Sequence, residues 1–300
     1  MSEQFENTSY LQHEQHYHNR FPDDEAKIQR IEIFRRTDTV NAWLHKRLYD
    51  VAEPLMTSGT KWLTVGDGNG ADGHFLEQKG CQVMCSDISD AILDTAKRIG
   101  FIKQYSKENA EKLSFADDSF DYVLCKESFH HFPRPYIALY EMLRVAKKGV
   151  VLMEPNDPVL KMPMLMWLCN VLDRFAPALL KKLWKNRYSF EDVGNFVYKI
   201  SEREIIKSAM GIHLPAVAFK GFNDKYMKGV EKEILTPKSN LYKKVKRNLA
   251  MRDFICNTHL MPFGSLCAVV FKNKPDDTLK QSMLSSGFKY IDLPRNPYIV

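Results

Sequence analysis

A chain of 300 residues with 44% apolar content has room for one α/β domain of ordinary size plus an insertion, and enough apolar side chain for a packed core. A formal charge of +6 without a dense Lys/Arg block gives no footprint for nucleic acid, and the opening MSEQFENTSYLQHEQHYHNR lacks the basic-then-apolar order of a secretory leader. Six cysteines, at 81, 85, 125, 169, 256 and 267, make no C-x-x-C pair and read as reduced thiols of a cytoplasmic protein.

Residues 1–58 form a polar arm and then a helix, in which Leu44, Leu48, Val51 and Leu55 recur at helical spacing before Gly59 ends the segment. His13, His16 and His18 read as polar arm residues, because HEQH is one residue short of H-E-x-x-H and no further ligand set accompanies it; no metal is expected. A strand over 61–65 then runs into Gly66, Gly68 and Gly70. Glycine lets backbone N–H groups approach a ligand where a Cβ would obstruct, and a helix opening near Ala71 offers unpaired donors and a positive dipole end. Gly68, Gly70 and Gly73 also satisfy G-x-G-x-x-G with Asp87 about 20 residues on, so an NAD(P)-binding oxidoreductase is open on the loop alone.

A second strand over 82–86 leads to Asp87 and Ile88, with Ser89 as N-cap of a helix through Arg98. Strands near 102–105, 120–125 and 149–153 follow with helices between them. That alternation predicts a mostly parallel sheet, doubly wound and covered on both faces, with ligands beyond the carboxyl ends of the strands. Gly66, Asp87, Asn109, Lys126 and Glu154 should converge there.

The ordered blocks KWLTVGDGNGADGHFL, GCQVMCSD, ENAEKLSF and FDYVLCKESFHHF resemble the class I S-adenosylmethionine-dependent methyltransferases, in particular the small-molecule, methyltransferase type 11-like group. The resemblance covers roughly residues 40–155 and implies a Rossmann-like, seven-stranded sheet and S-adenosyl-L-methionine as cofactor. It implies further that Gly66, Asp67, Gly68 and Gly70 wrap the methionine part, that Asp87 binds ribose, that Ile88 packs on adenine and that Asn109 and Ala110 edge it. Lys126 joins this cofactor-side set. The arm, with His16 and Tyr17, would fold over cofactor or acceptor. Thr64 stands where the family has an acid that organises the loop, and Asp67 is its candidate substitute. Were the loop instead degenerate, the fold would serve as a scaffold rather than an enzyme.

After Pro155 the pattern changes. Residues 156–200 are expected to form a helical insertion, whose Met/Leu/Trp-rich stretch is broken by Lys161, Pro163, Asp173, Arg174 and Pro177 and is too interrupted to span a bilayer. It reads as a lid over the acceptor, as the face of a homodimer, or as an interfacial segment in peripheral contact with membrane. Residues 201–272 return to the core, opening on a Ser201/Glu204 capping box and carrying two antiparallel strands, 215–220 and 266–272, around a second helical insertion at 223–262. Residues 273–300 carry a short helix and a tail. The core domain proper is thus 59–155.

Between residues 151 and 250 lie 18 lysines and arginines against 10 acids, an excess expected to meet an anionic or phosphate-bearing acceptor. For the chemistry, His130 and His131 are the candidate bases, with Glu127 and Glu154 behind them. The expected reaction is methyl transfer to an O or N atom of a small molecule, a sugar or nucleotide sugar first and an apolar quinone or lipid-like acceptor as the alternative.

Overall fold

The computed structural model describes residues 3–157, 161–184, 189–190 and 195–298, with side chains from residue 10 onward. Parts of the first insertion, 158–160, 185–188 and 191–194, lie outside the described residues.

Three N-terminal helices, α1 (Glu3–Arg20), α2 (Asp24–Arg35) and α3 (Val40–Tyr49), lead through a 3₁₀ turn at Asp50–Leu55 into the sheet. Side chains of Asp23 and Thr39 cap α2 and α3 by accepting from Ala26 N and Ala42 N. The alternating half follows as β1 (Lys61–Val65), α4 (Ala71–Gln78), β2 (Gln82–Asp87), α5 (Ala91–Arg98), β3 (Tyr105–Lys107), β4 (Phe120–Lys126), α6 (Pro135–Val145) and β5 (Ala146–Pro155). The rest comprises α7 (Pro163–Phe175), α8 (Pro177–Leu183), α9 (Glu202–Gly211), β6 (Ala216–Phe222), α10 (Asn240–Asn257), β7 (Ser265–Phe271), α11 (Asp277–Ser285) and β8 (Lys289–Asp292).

The strand order is β3-β2-β1-β4-β5-β7-β6-β8, with β1 to β5 parallel and the last three strands antiparallel to their neighbours. The sheet therefore has eight strands, one more than expected: the tail segment Lys289–Asp292 adds itself to the β6 edge. The third strand, expected near 102–105, lies at Tyr105–Lys107 instead. Phe101 and Ile102 are buried, and Ile102 packs beneath the glycine loop, with Cγ2 only 2.9 Å from where a Cβ on Gly70 would stand.

Side chains alternate across the sheet as the two-residue period requires. Trp62 and Leu124 join one buried cluster with Leu76, Ile92 and Leu93, while Leu63, Val65, Val123 and Cys125 join the other with Leu139 and Met142. Both faces are covered, as a parallel sheet demands. A third, smaller cluster packs Val245 and Leu249 of α10 against Val40 and Leu44 of α3. The second insertion thus buttresses the N-terminal helices. Ser201 caps α9 as expected, its Oγ accepting from Glu204 N at 3.2 Å, but the Glu204 carboxylate accepts from the Ser201 hydroxyl, at 2.8 Å, and so the pair is a variant of the capping box.

By contrast, α7 has no buried residue and α8 buries only Leu180. Met164, Trp167, Phe175 and Leu183 are each at least two-thirds exposed. No described helix is long and apolar enough to cross a membrane.

Candidate active site

The carboxyl ends of β1, β2 and β4 open onto a cavity of about 690 Å³, within the range of small-molecule sites. The glycine loop forms its floor. Gly66 has φ +76°, and a Cβ there would stand 2.3 Å from Ser128 Cβ, where the Ser128 hydroxyl donates to Gly66 O at 2.7 Å. Gly66→Ala is expected to destabilise the fold by about 3 kcal/mol or more, since it combines a left-handed backbone with a clash between two loops. A urea midpoint within error of wild type would show that the loops can separate freely.

Asp67 does the organising that an acid at position 64 was expected to do. Its Oδ2 accepts from Thr64 Oγ1 at 2.9 Å and from Gly73 N at 2.8 Å, and its Oδ1 accepts from Asp72 N at 3.2 Å. Two of the α4 donors expected to be open are therefore taken by the chain's own carboxylate. Burial, and then the Asp72 carboxylate, push Asp67 up to about 8.

Asp87 ends β2 buried at the cavity wall, its Oδ1 accepting from Ser89 N at 2.9 Å. Desolvation pushes it up to about 7, against the pull of the Ser89 and Ile88 amides. Ser89 N is thus bound to Asp87, and Asp90 takes the N-cap position of α5. Gly68 lies between Asp87 and the arm: a Cβ on it would stand 2.6 Å from Tyr17 Oη and 3.1 Å from Asp87 Oδ2. A glycine cradle beside a buried carboxylate, with Ile88 and Ala110 in the same wall, fits a nucleoside with a vicinal diol. S-adenosylmethionine has that group, and these residues fit it.

Asn109 and Gly70 are not among the cavity-lining residues. Asn109 Oδ1 accepts from Glu111 N at 2.9 Å, which closes its own turn, and Gly70 packs on Ile102 and Leu93 behind the loop. Lys126 does line the cavity. It is held by Asp72 Oδ1 and Glu127 Oε2, each at 3.3 Å, and lies 5.5 Å from the Tyr49 ring centre. Burial alone would lower its pKa, but these two carboxylates outweigh burial and raise it. Glu127, with φ +52°, faces the cavity, and Lys126 beside it keeps its carboxyl below the usual range.

The four candidate catalytic residues separate into two layers. His131 and Glu127 line the cavity; His130 and Glu154 do not. Glu154 was expected to face the pocket, but it is buried beneath the loop after β4. There it accepts from Ser128 N at 2.8 Å and Phe129 N at 2.9 Å, and its Oε2 lies 2.6 Å from His130 Nδ1. Asn195, from the end of the first insertion, donates to His130 O at 3.2 Å and sits 3.4 Å from His131 Nδ1.

The cover over the cavity comes from the N-terminus. Tyr10, His13, His16 and Tyr17 of α1 line it, with Arg30, Ile33 and Phe34 of α2 and Asn41, His45 and Tyr49 of α3. The last three recur every fourth residue, a face whose polar side chains read in sequence as solvated. Burial, and then Lys126, lower His45 to about 4, which keeps it neutral. Tyr49 Oη donates to Asp72 Oδ1 at 2.6 Å and ties α3 to α4. Neither α7 nor α8 contributes a lining residue, and after residue 150 only Tyr226 and Glu231 do so among the described residues. Among the described residues, no lysine or arginine of 151–250 lines the cavity; the cationic lining residues are Arg20, Arg30 and Lys126. No group of three His, Cys, Asp or Glu side chains suited to a metal occurs among the described residues.

Residues 63–153 match the family model of a methyltransferase domain. Among curated relatives, the demethylmenaquinone methyltransferase of Clavibacter sepedonicus is 26% identical over 58% of this chain and 74% of its own length. The ubiquinone biosynthesis O-methyltransferase of Hahella chejuensis is 32% identical over 34% of this chain and 45% of its own, so the chain spans less than half of that relative. A SAM-dependent methyltransferase from Archaeoglobus fulgidus superposes with a TM-score of 0.47 at 14% identity, covering 76% of this chain and 92% of that one.

Proposed function

We propose that this chain, an S-adenosylmethionine-dependent methyltransferase of class I, methylates a hydroxylated aromatic ring of the quinone-precursor type. The observation that carries this reading is the aromatic and apolar share of the cavity lining, in which Ile33, Phe34, Tyr49, Phe132 and Tyr226 stand among the polar residues and offer surface on which a flat ring can stack. The names of the relatives point the same way, since two of them act in menaquinone and ubiquinone synthesis.

When bound, S-adenosylmethionine supplies an electrophilic methyl group on a sulfonium leaving group. The chain has to align the acceptor with that methyl and remove a proton. We assign proton removal to His131, which presents its imidazole at the wall beside Asn195 and 5.4 Å from the His13 ring. Loss of the hydroxyl proton to His131 makes either the ring oxygen or the carbon next to it nucleophilic. Glu127, ionised beside Lys126, accepts a hydrogen bond from the acceptor and so orients it.

His131→Gln is expected to lower kcat by about 100-fold with the affinity for S-adenosylhomocysteine unchanged. An unaltered kcat would remove His131 from the chemistry. The acceptor class is tested by transfer of labelled methyl from S-adenosylmethionine to a short-chain prenylated hydroquinone and, in parallel, to a nucleotide sugar. Labelling of the sugar alone would overturn the quinone reading while leaving the methyltransferase intact.

A further inference from the structure

The pair α7 and α8 makes no sense as part of the core. A helix of 13 residues is marginal in water unless tertiary packing holds it, yet no side chain of α7 is buried. Its apolar residues are nonetheless ordered: Met164, Trp167, Leu168, Val171 and Phe175 fall at i, i+3, i+4, i+7 and i+11, one stripe along the helix. Met164 is 85% exposed, Trp167 68% and Phe175 76%. Leu179 and Leu183, one turn apart, carry exposed apolar surface onto α8. A stripe this wide on a folded chain marks a surface that something else covers.

The charges around it say what. Arg174, Lys181 and Lys182 are exposed, and the one acid within the two helices is Asp173. Trp, Phe and Leu on one side with Lys and Arg at the margin is the composition of a helix lying in the headgroup boundary of an anionic bilayer. A second copy of this chain would set these cations against each other. The far end of the insertion also reaches the site, because Asn195 is bonded to the His130 carbonyl behind the cavity.

We propose that α7 and α8 dock the enzyme on an anionic lipid surface, with the apolar stripe sunk to the level of the acyl chains and Arg174, Lys181 and Lys182 among the headgroups. Docking places the active site within reach of an acceptor dissolved in the bilayer, although the docking itself does not depend on which acceptor is used.

The test is co-sedimentation of the purified full chain with vesicles of phosphatidylcholine alone and of an equimolar mixture with phosphatidylglycerol. The wild type should sediment with the mixed vesicles and hardly at all with the neutral ones. Lys181→Glu with Lys182→Glu should weaken that binding roughly tenfold or more, and Trp167→Ser with Phe175→Ser should weaken it by a similar factor. All of these side chains are exposed, so the thermal midpoint and the affinity for S-adenosylhomocysteine should stay at wild-type values; those controls separate loss of docking from loss of fold or cofactor site. Wild type that sediments with neither vesicle overturns the proposal. So does a wild-type dimer in sedimentation equilibrium that Trp167→Ser with Phe175→Ser converts to monomer, because a second copy would then cover the stripe.

Discussion

Asp87→Asn is expected to weaken S-adenosylhomocysteine binding by about 100-fold and yet, at pH 8, to raise the thermal midpoint of the ligand-free protein. Both effects follow from one carboxylate. In the ligand-free chain burial pushes Asp87 up to about 7, well above its value in the unfolded chain. A carboxyl raised in the folded state contributes stability below its unfolded pKa, and that contribution is lost as pH rises through about 7. At pH 8 the wild type therefore holds a buried anion that asparagine does not, and removal of that burden is worth roughly 2 kcal/mol. Asparagine keeps an oxygen to accept from Ser89 N.

If Asp87 anchors the ribose, its hydroxyls donate to the ionised carboxylate, and wild-type affinity is expected to fall as pH drops from 8 to 6. Asp67 titrates close by, pushed up to about 8, so the difference between wild type and Asp87→Asn isolates the Asp87 contribution. Calorimetric titration across that range reads it directly. Affinity in the variant within about threefold of wild type would mean that Asp87 is no ribose anchor.

The other large effect is expected at Glu154, for a reason unrelated to proton transfer. Glu154→Ala leaves the buried Ser128 and Phe129 amides without their acceptor and removes the partner of His130. A loss of about 4 kcal/mol in unfolding free energy should follow. Activity should fall with it, because His131 sits on the loop those amides pin. Glu154→Gln separates positioning from catalysis: its carbonyl still accepts from both amides, so stability and most of kcat should survive. A stable but inactive Gln variant would make Glu154 a participant in the reaction.

Much of this site was legible because it is local. A strand running into glycines, and a second strand ending in an acid, fix Gly66, Gly68 and Asp87 within a few residues of their own backbone. Glu154 was misread because strand parity places it on one face of β5 without revealing that the loop after β4 folds over that face. Asn109, expected beside adenine, stands outside the cavity lining with its side-chain oxygen accepting from Glu111 N, because an Asn amide can serve its own turn as well as a ligand. Asn41, His45 and Tyr49 were invisible for a different reason. Leu44 and Leu48 announce the apolar stripe of α3, and polar residues beside such a stripe look like a solvated flank until the helix is laid against the glycine loop. The eighth strand lies in a tail whose alternation is only four residues long.

The order of the sheet has a consequence for how the chain is made. Every strand of the parallel half has been synthesised by Pro155, but the partner of β5 on its open side is β7, which begins at Ser265. Residues 156–264 must be synthesised in between, which takes on the order of 5–20 s at ordinary elongation rates. Throughout that interval β5 exposes a full row of unpaired amides and carbonyls from a strand of ten residues, a template for pairing with any other nascent chain. The first insertion, α9, β6 and α10 are all made in that window, before the strand that pairs with β5. Biogenesis of this protein should therefore be more sensitive to chaperone supply and translation rate than its finished, edge-capped sheet would suggest.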